Sequence, residues 1–196
     1  MGEFFTSFED AWTLFLTRDE PLESFYDQFP DDPDHVLSGW LVEPSPEVKA
    51  SALGLQERLA HIDWLDRTPE HFLHTWIGLD SRIGEASRQW AEVPGFRATY
   101  ERVNCFHTAV VLEVGGRFRE LVAGTPNDVP TFLPHLTVAV VREPASPGDL
   151  RDLLVSLRDV SFGEHDVQDV TLVSFPCGRT TVYQPWTVLG RQPLAA

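Results

Sequence analysis

Two histidines in apolar, strand-like surroundings have the residue types and spacing to do acid-base chemistry on one small ligand. His135-Leu136-Thr137-Val138 lies inside the apolar run Phe132 to Val141. Side chains alternate faces along a strand, so His135 and Thr137 point the same way and form a donor pair. His74 stands 61 residues earlier, in Phe72-Leu73-His74-Thr75-Trp76-Ile77-Gly78-Leu79. Two such strands side by side would set two imidazoles around one anion. Near its ordinary pKa, one imidazole can take a proton from an attacking water while the other protonates the leaving oxygen. A hydroxyl beside them can hold a non-bridging oxygen as charge shifts in the transition state. That chemistry would open a cyclic phosphodiester without a metal. The expected catalytic set is His74, His135 and Thr137.

The remaining pattern supplies elements that could position these groups. Apolar residues recur at helical spacing from Phe4 to Leu16, with Ser7 or Thr6 as cap. A short second helix is expected over Pro21 to Phe29, before the turn Pro30-Asp31-Asp32-Pro33-Asp34. Residues 1–35 therefore read as an acidic helical extension, with Trp12, Phe15 and Phe25 expected to pack on the main body. A partner-binding helix is the alternative. From Val36 a strand to Glu43 is followed by a helix over Glu47 to His61, introduced by Pro44-Ser45-Pro46. After the His74 strand come a helix over Ser81 to Val93, strands over Phe96 to Val103 and Phe106 to Val114, and a short helix over Phe118 to Ala123. After the His135 strand come a helix over Gly148 to Arg158 and strands over Val167 to Phe175 and Thr180 to Leu189, with the Cys177-Gly178 turn between. Each half runs histidine strand, helix, strand, strand, which places a ligand in a cleft between two similar lobes.

Across Val36 to Leu194 this arrangement resembles the 2H phosphoesterase superfamily, which includes the 2′-5′ RNA ligase-like and cyclic nucleotide phosphodiesterase proteins. The resemblance rests on His135-x-Thr137 preceded by Pro134, the His74 strand led by Phe72-Leu73, the opening strand and helix, and the ending Val182-Tyr183 through Arg191-Gln192-Pro193-Leu194. It implies an α+β fold of two pseudo-symmetric lobes of antiparallel sheet with outer helices and the histidine motifs in the central cleft, here over residues 36–196. It also implies a metal-independent phosphoesterase acting on a 2′,3′-cyclic or related nucleotide phosphodiester, or at an RNA end. The alternative on the same cleft is a nucleotide or RNA-end binding module without turnover. Cleft contacts are expected at Thr75, Trp76, Phe106, His107 and Tyr183. The first motif departs from the family, which would carry Thr or Ser where this chain has Trp76. Trp76 should share a face with His74, and Thr75 should face away. The indole could stack on a base, fill the cleft of a protein that has lost turnover, or sit beside a bulge that returns Thr75 to the site.

Composition narrows the partners. The formal net charge is −15, and residues 1–35 hold ten acidic side chains against Arg18. The rest has no basic stripe, which disfavours an extended nucleic-acid footprint and favours a small nucleotide or a terminal phosphate. Lys49 is the only lysine and falls in a helical segment, so an ATP-dependent ligase working through a lysyl-adenylate is not expected. No cofactor and no metal are expected, because neither a metal-spaced Cys or His run nor a Gly-rich phosphate loop is present. The apolar segments are too short to span a membrane, no signal peptide is read at Met1-Gly2-Glu3, and Cys105 and Cys177 are too few for a disulfide framework. A cytoplasmic protein is expected.

Overall fold

The computed structural model of the chain describes residues 5–79, 90–123 and 128–195. Helix α1 spans Phe8–Thr17, capped by the Ser7 side chain accepting from the Asp10 N–H at 3.0 Å. One 3-10 turn at Phe25–Gln28 stands where the second helix is expected. Strand β1 (Val36–Val42) leads into α2 (Pro46–Leu59), whose Ser45 cap and Pro46 at the first turn set its start. Then follow β2 (Leu65–Arg67), a 3-10 turn at Glu70–Phe72, β3 (Thr75–Leu79), β4 (Phe96–Cys105), β5 (Ala109–Gly115) and α3 (Phe118–Val122). The second half gives β6 (His135–Val141), α4 (Gly148–Leu157), β7 (Ser161–Val167), β8 (Asp169–Pro176) and β9 (Thr187–Pro193). The helix expected over Ser81 to Val93 falls mostly outside the described residues.

Among the described residues, nine strands join in one sheet in the order β7-β4-β5-β6-β3-β1-β8-β9, with β2 also paired to β6. All the pairings are antiparallel. The fold is α+β in class, and its sheet divides at the middle, where β3 meets β6 through the single residue pair Thr75–Leu136. The two groups of strands are the lobes, and each draws on both halves of the sequence: β4 and β5 join β6 and β7, while β1 and β3 join β8 and β9. Helices α1 and α4 pack on β4, and α2 packs on β6 and β7. Gln56 of α2 is buried and donates to the Thr68 and Val138 carbonyls at 2.7 and 2.8 Å, which fixes α2 against the strand that carries His135.

Three sequence expectations shift for physical reasons. Strand β7 carries little sequence signal: only Phe162 and Val167 are buried in it, since it is an edge strand, and Gly163 bends it at φ +109°. The strand expected from Phe106 begins at Ala109, because Phe106 to Thr108 close the hairpin and the Phe106 N–H bonds the Ala109 carbonyl. The strand expected over Thr180 to Leu189 begins at Thr187. Before it lies a tight turn in which Thr181 and Val182 donate to the Gly178 carbonyl.

The N-terminal segment is docked on the body. Trp12 and Phe15 are buried, and the Arg158 guanidinium lies 4.6 Å from the Trp12 ring centre. Arg158 also pairs with buried Glu113, which accepts from Asn104 at 2.8 Å, and its Nη1 donates to the Val103 carbonyl at 2.9 Å, so a charge cluster lies under α1. Arg151 of α4 donates to the Phe15 and Arg18 carbonyls at 3.2 and 2.7 Å.

Candidate functional site

The register at the sheet's midpoint decides which side chains meet. Thr75 and Leu136 are paired and both fully buried, so they share the inner face. By alternation their neighbours His74, Trp76, His135 and Thr137 share the other. Antiparallel pairing sets His74 across from Thr137, and Trp76 across from His135. These four side chains line one cavity of about 350 Å³ together with Thr68, Phe72, Phe175 and Tyr183. No lysine or arginine is among its described lining residues.

His74 follows the 3-10 turn and immediately precedes β3. It is 3% exposed, and neither ring nitrogen has a hydrogen-bond partner among the described residues. Aromatic edges enclose it: Trp76 at 4.6 Å and Trp186 at 4.7 Å between ring centres, both near perpendicular, with Phe72 at 5.7 Å. Burial, with smaller contributions from the charges of Lys49, His135 and His71, lowers its pKa to about 3. The imidazole is neutral. His135 is partly buried, and its Nδ1 lies 2.7 Å from the Leu133 carbonyl, so that nitrogen carries the proton and Nε2 keeps a lone pair. Burial lowers its pKa, against the opposing pull of the Leu133 bond. Phe106 meets the His135 ring edge-on at 4.9 Å. Thr68 Oγ1 and the Tyr183 hydroxyl are buried without hydrogen-bond partners among the described residues, and desolvation raises the Tyr183 pKa.

Of the residues read from the sequence, His74, His135, Thr137, Trp76 and Tyr183 line this cavity, and Thr75, Phe106 and His107 do not. Thr75 lies on the buried face, near the Tyr100 hydroxyl. A bulge does occur in β3, but it falls at Ile77, where Trp40 pairs with Gly78 and Leu41 with Trp76. It comes after Thr75 and leaves that hydroxyl facing the core. Phe106 supports His135 from behind, covered by Phe5 and Phe8. His107 accepts from Arg18 at 2.7 Å and stacks on Phe5 at 5.0 Å, at a separate surface hollow. Both fall outside the cleft because residues that read as the start of a strand form the hairpin turn. Trp186 carries no signal in the sequence: it follows Pro185 in an irregular stretch, and no periodicity ties it to His74. Phe25 and Phe29 line the cavity from the N-terminal segment, where apolar pattern implies packing but not this location.

No protein-family model matches the chain, and no curated protein matches it by sequence. Solved structures do match. A protein of Thermus thermophilus superposes with a TM-score of 0.60 at 20% identity, covering 81% of this chain and 97% of that one. A structure described as a phosphoesterase gives 0.60 at 15% identity over 83% of this chain and all of that one. The chain has the LigT-like fold. Escherichia coli LigT, solved with 3′-AMP, gives a TM-score of 0.54 at 15% identity, with 91% of this chain and 100% of LigT covered. In this LigT-like sheet the midpoint between the two strand groups is where the histidine cavity lies. No helix among the described residues is long and apolar enough to cross a membrane.

Proposed function

We propose that this chain is a 2H-type phosphoesterase that hydrolyses a 2′,3′-cyclic or related nucleotide phosphodiester by two-histidine acid-base catalysis. The observation that carries the reading is the convergence of His74, His135 and Thr137 on one cavity across the Thr75–Leu136 pair. His135 presents an Nε2 lone pair and takes the proton of the attacking water. As the new P–O bond forms, the bond to one ribose oxygen breaks, and His74 donates the proton that oxygen needs. Thr137 holds a non-bridging oxygen. The LigT complex with 3′-AMP supports a small nucleotide as ligand. The buried, unpaired thiols Cys105 and Cys177 support a reducing compartment, the cytosol.

A proton donor with a pKa of about 3 requires explanation. A phosphate anion about 4 Å away contributes roughly 4 kcal/mol at an effective dielectric of 20, equivalent to about three pKa units. The substrate's own charge thus returns His74 toward neutral titration. The acid forms when the anion arrives.

The second reading is a binder without turnover. It is favoured by Trp76, which stands across from His135 where pseudo-symmetry with Thr137 would place a hydroxyl. Steady-state kinetics on adenosine 2′,3′-cyclic phosphate separate the two. An enzyme opens the ring, and His74→Ala and His135→Ala each lower kcat by about 10² to 10⁴. A binder retains the ring intact, and full activity in either variant removes the two-histidine mechanism.

A further inference from the structure

We infer that residues 21–35 form a strap that makes this site a mononucleotide pocket and excludes polynucleotides. The inference rests on the phosphodiesterase reading and decides between its two substrate classes. The strap is tied to both lobes. On the β6 side, Leu22 and Ala145 exchange backbone bonds of 2.8 and 3.3 Å, Ser24 Oγ donates to the Arg142 carbonyl at 2.8 Å, and the Tyr26 hydroxyl donates to Asp66 of β2 at 2.9 Å. On the β8 side, Arg179 lies 2.7 Å from Asp27 and 2.8 Å from Asp31, and its N–H bonds the Pro30 carbonyl at 2.9 Å. Contact there is close enough that a Cβ on Gly178 would fall 2.3 Å from the Asp32 carbonyl oxygen.

Between these anchors Phe25, Gln28 and Phe29 form a wall of the histidine cavity. Phe25 stacks on Tyr183 with ring centres 6.1 Å apart and planes 10° from parallel, and it meets Phe29 edge-on at 4.9 Å. A mononucleotide can lie wholly within this half-open cavity of about 350 Å³, whereas a polynucleotide must leave it past the wall. Charge acts in the same direction. The strap carries Glu23, Asp27, Asp31, Asp32 and Asp34 and no lysine or arginine. Polynucleotide affinity comes largely from lysine and arginine on successive phosphates, and among the described residues none of these line the cavity. Arg179 pairs with Asp27 and Asp31, and the strap's remaining Glu23, Asp32 and Asp34 leave it an acidic surface that disfavours the further phosphates of a longer chain.

The test compares kcat/KM on adenosine 2′,3′-cyclic phosphate with that on a short RNA ending in a 2′,3′-cyclic phosphate. The intact protein is expected to favour the mononucleotide by roughly a hundredfold or more. Phe25→Ala with Phe29→Ala, which opens the wall, should cut that preference by at least about tenfold. Tyr26→Phe with Arg179→Gln loosens the anchors without touching the wall and should move the ratio the same way, which covers the case in which the first variant fails to fold. Equal use of both substrates by the intact protein, or a ratio that neither variant moves, overturns the inference. Binding of 3′-AMP and of a 3′-phosphorylated RNA, followed by tryptophan fluorescence, reads the same ratio without turnover. Discrimination in binding with no hydrolysis sinks the phosphodiesterase reading and leaves the strap standing. Equal binding, or binding of neither, overturns the strap.

Discussion

Replacing His74 with Phe should make the folded protein less sensitive to acid. His74 is 3% exposed, with both ring nitrogens unpartnered among the described residues and aromatic edges around it. Its pKa falls from 6.5 in the unfolded chain to about 3 in the folded one. The unfolded state therefore binds the proton first. Stability contributed by the neutral ring is fully present above 6.5 and is lost as pH falls from 6.5 toward about 3. At about pH 4.5 the loss is two pKa units, or about 2.7 kcal/mol. For a chain of this length that corresponds to roughly 5 to 10 °C in Tm. Phe keeps the ring volume and removes both unsatisfied nitrogens, so the variant should be at least as stable as the parent at neutral pH. Urea unfolding at about pH 7.5 and 4.5, followed by tryptophan fluorescence, gives the difference between parent and variant directly. That difference should grow by about 2.7 kcal/mol in favour of the variant as pH falls. A difference constant to within about 0.5 kcal/mol would show that His74 titrates normally, and the aromatic box around it would then be open to water.

Other groups give independent checks. Trp76→Thr removes an indole packed on His74 and Phe175 and restores a hydroxyl across from His135; KM for adenosine 2′,3′-cyclic phosphate should rise by the equivalent of about 1 to 3 kcal/mol of lost stacking without a fall in kcat, and unchanged parameters would place Trp76 outside the cleft. Glu113→Leu strands the buried Arg158 charge and should cost about 3 to 5 kcal/mol in urea unfolding, whereas Glu113→Leu with Arg158→Met should recover most of it. Adding 3′-AMP should raise the His74 pKa by about three units in a proton NMR titration, and a titration indifferent to the ligand would remove His74 as the acid.

Local periodicity makes the second motif readable. His135 and Thr137 lie in a seven-residue strand whose other members are all buried, so alternation alone predicts that they share a face. The same argument puts Trp76 beside His74 and turns Thr75 away, and the Thr75–Leu136 pair has that geometry. What alternation cannot supply is long-range. Trp186 and Phe25 reach the cleft from segments without period, 112 residues after and 49 before His74. The interleaving of strands from both halves is equally hidden, because the order of elements repeats along the chain while pairing partners do not. Phe106 and His107 mislead for a smaller reason: apolar residues at a hairpin end read like the first residues of a strand.

Burial of His74 and the indole at position 76 are two aspects of one arrangement. A small hydroxyl side chain there would remove one of the three aromatic walls around His74 and lessen its desolvation. The indole instead shares the enclosure of His74 with Phe72 and Trp186 and keeps the ring neutral. The lowering of the His74 pKa to about 3, chiefly by burial and equivalent to about 4 to 5 kcal/mol, is close to the roughly 4 kcal/mol that one phosphate anion returns at contact distance. The two effects nearly cancel only when an anion is bound. On the proposed mechanism such a cleft holds its acid in reserve, and its dry, aromatic wall offers a nucleotide base a surface to stack on. Thr137, on the opposite strand, and the hydroxyl-bearing side chains of Thr68 and Tyr183 line the same space, so the proposed phosphate would find hydroxyl donors there. An indole at position 76 therefore does not strip the cleft of hydroxyl donors, and the proposed anion can still be held beside His74.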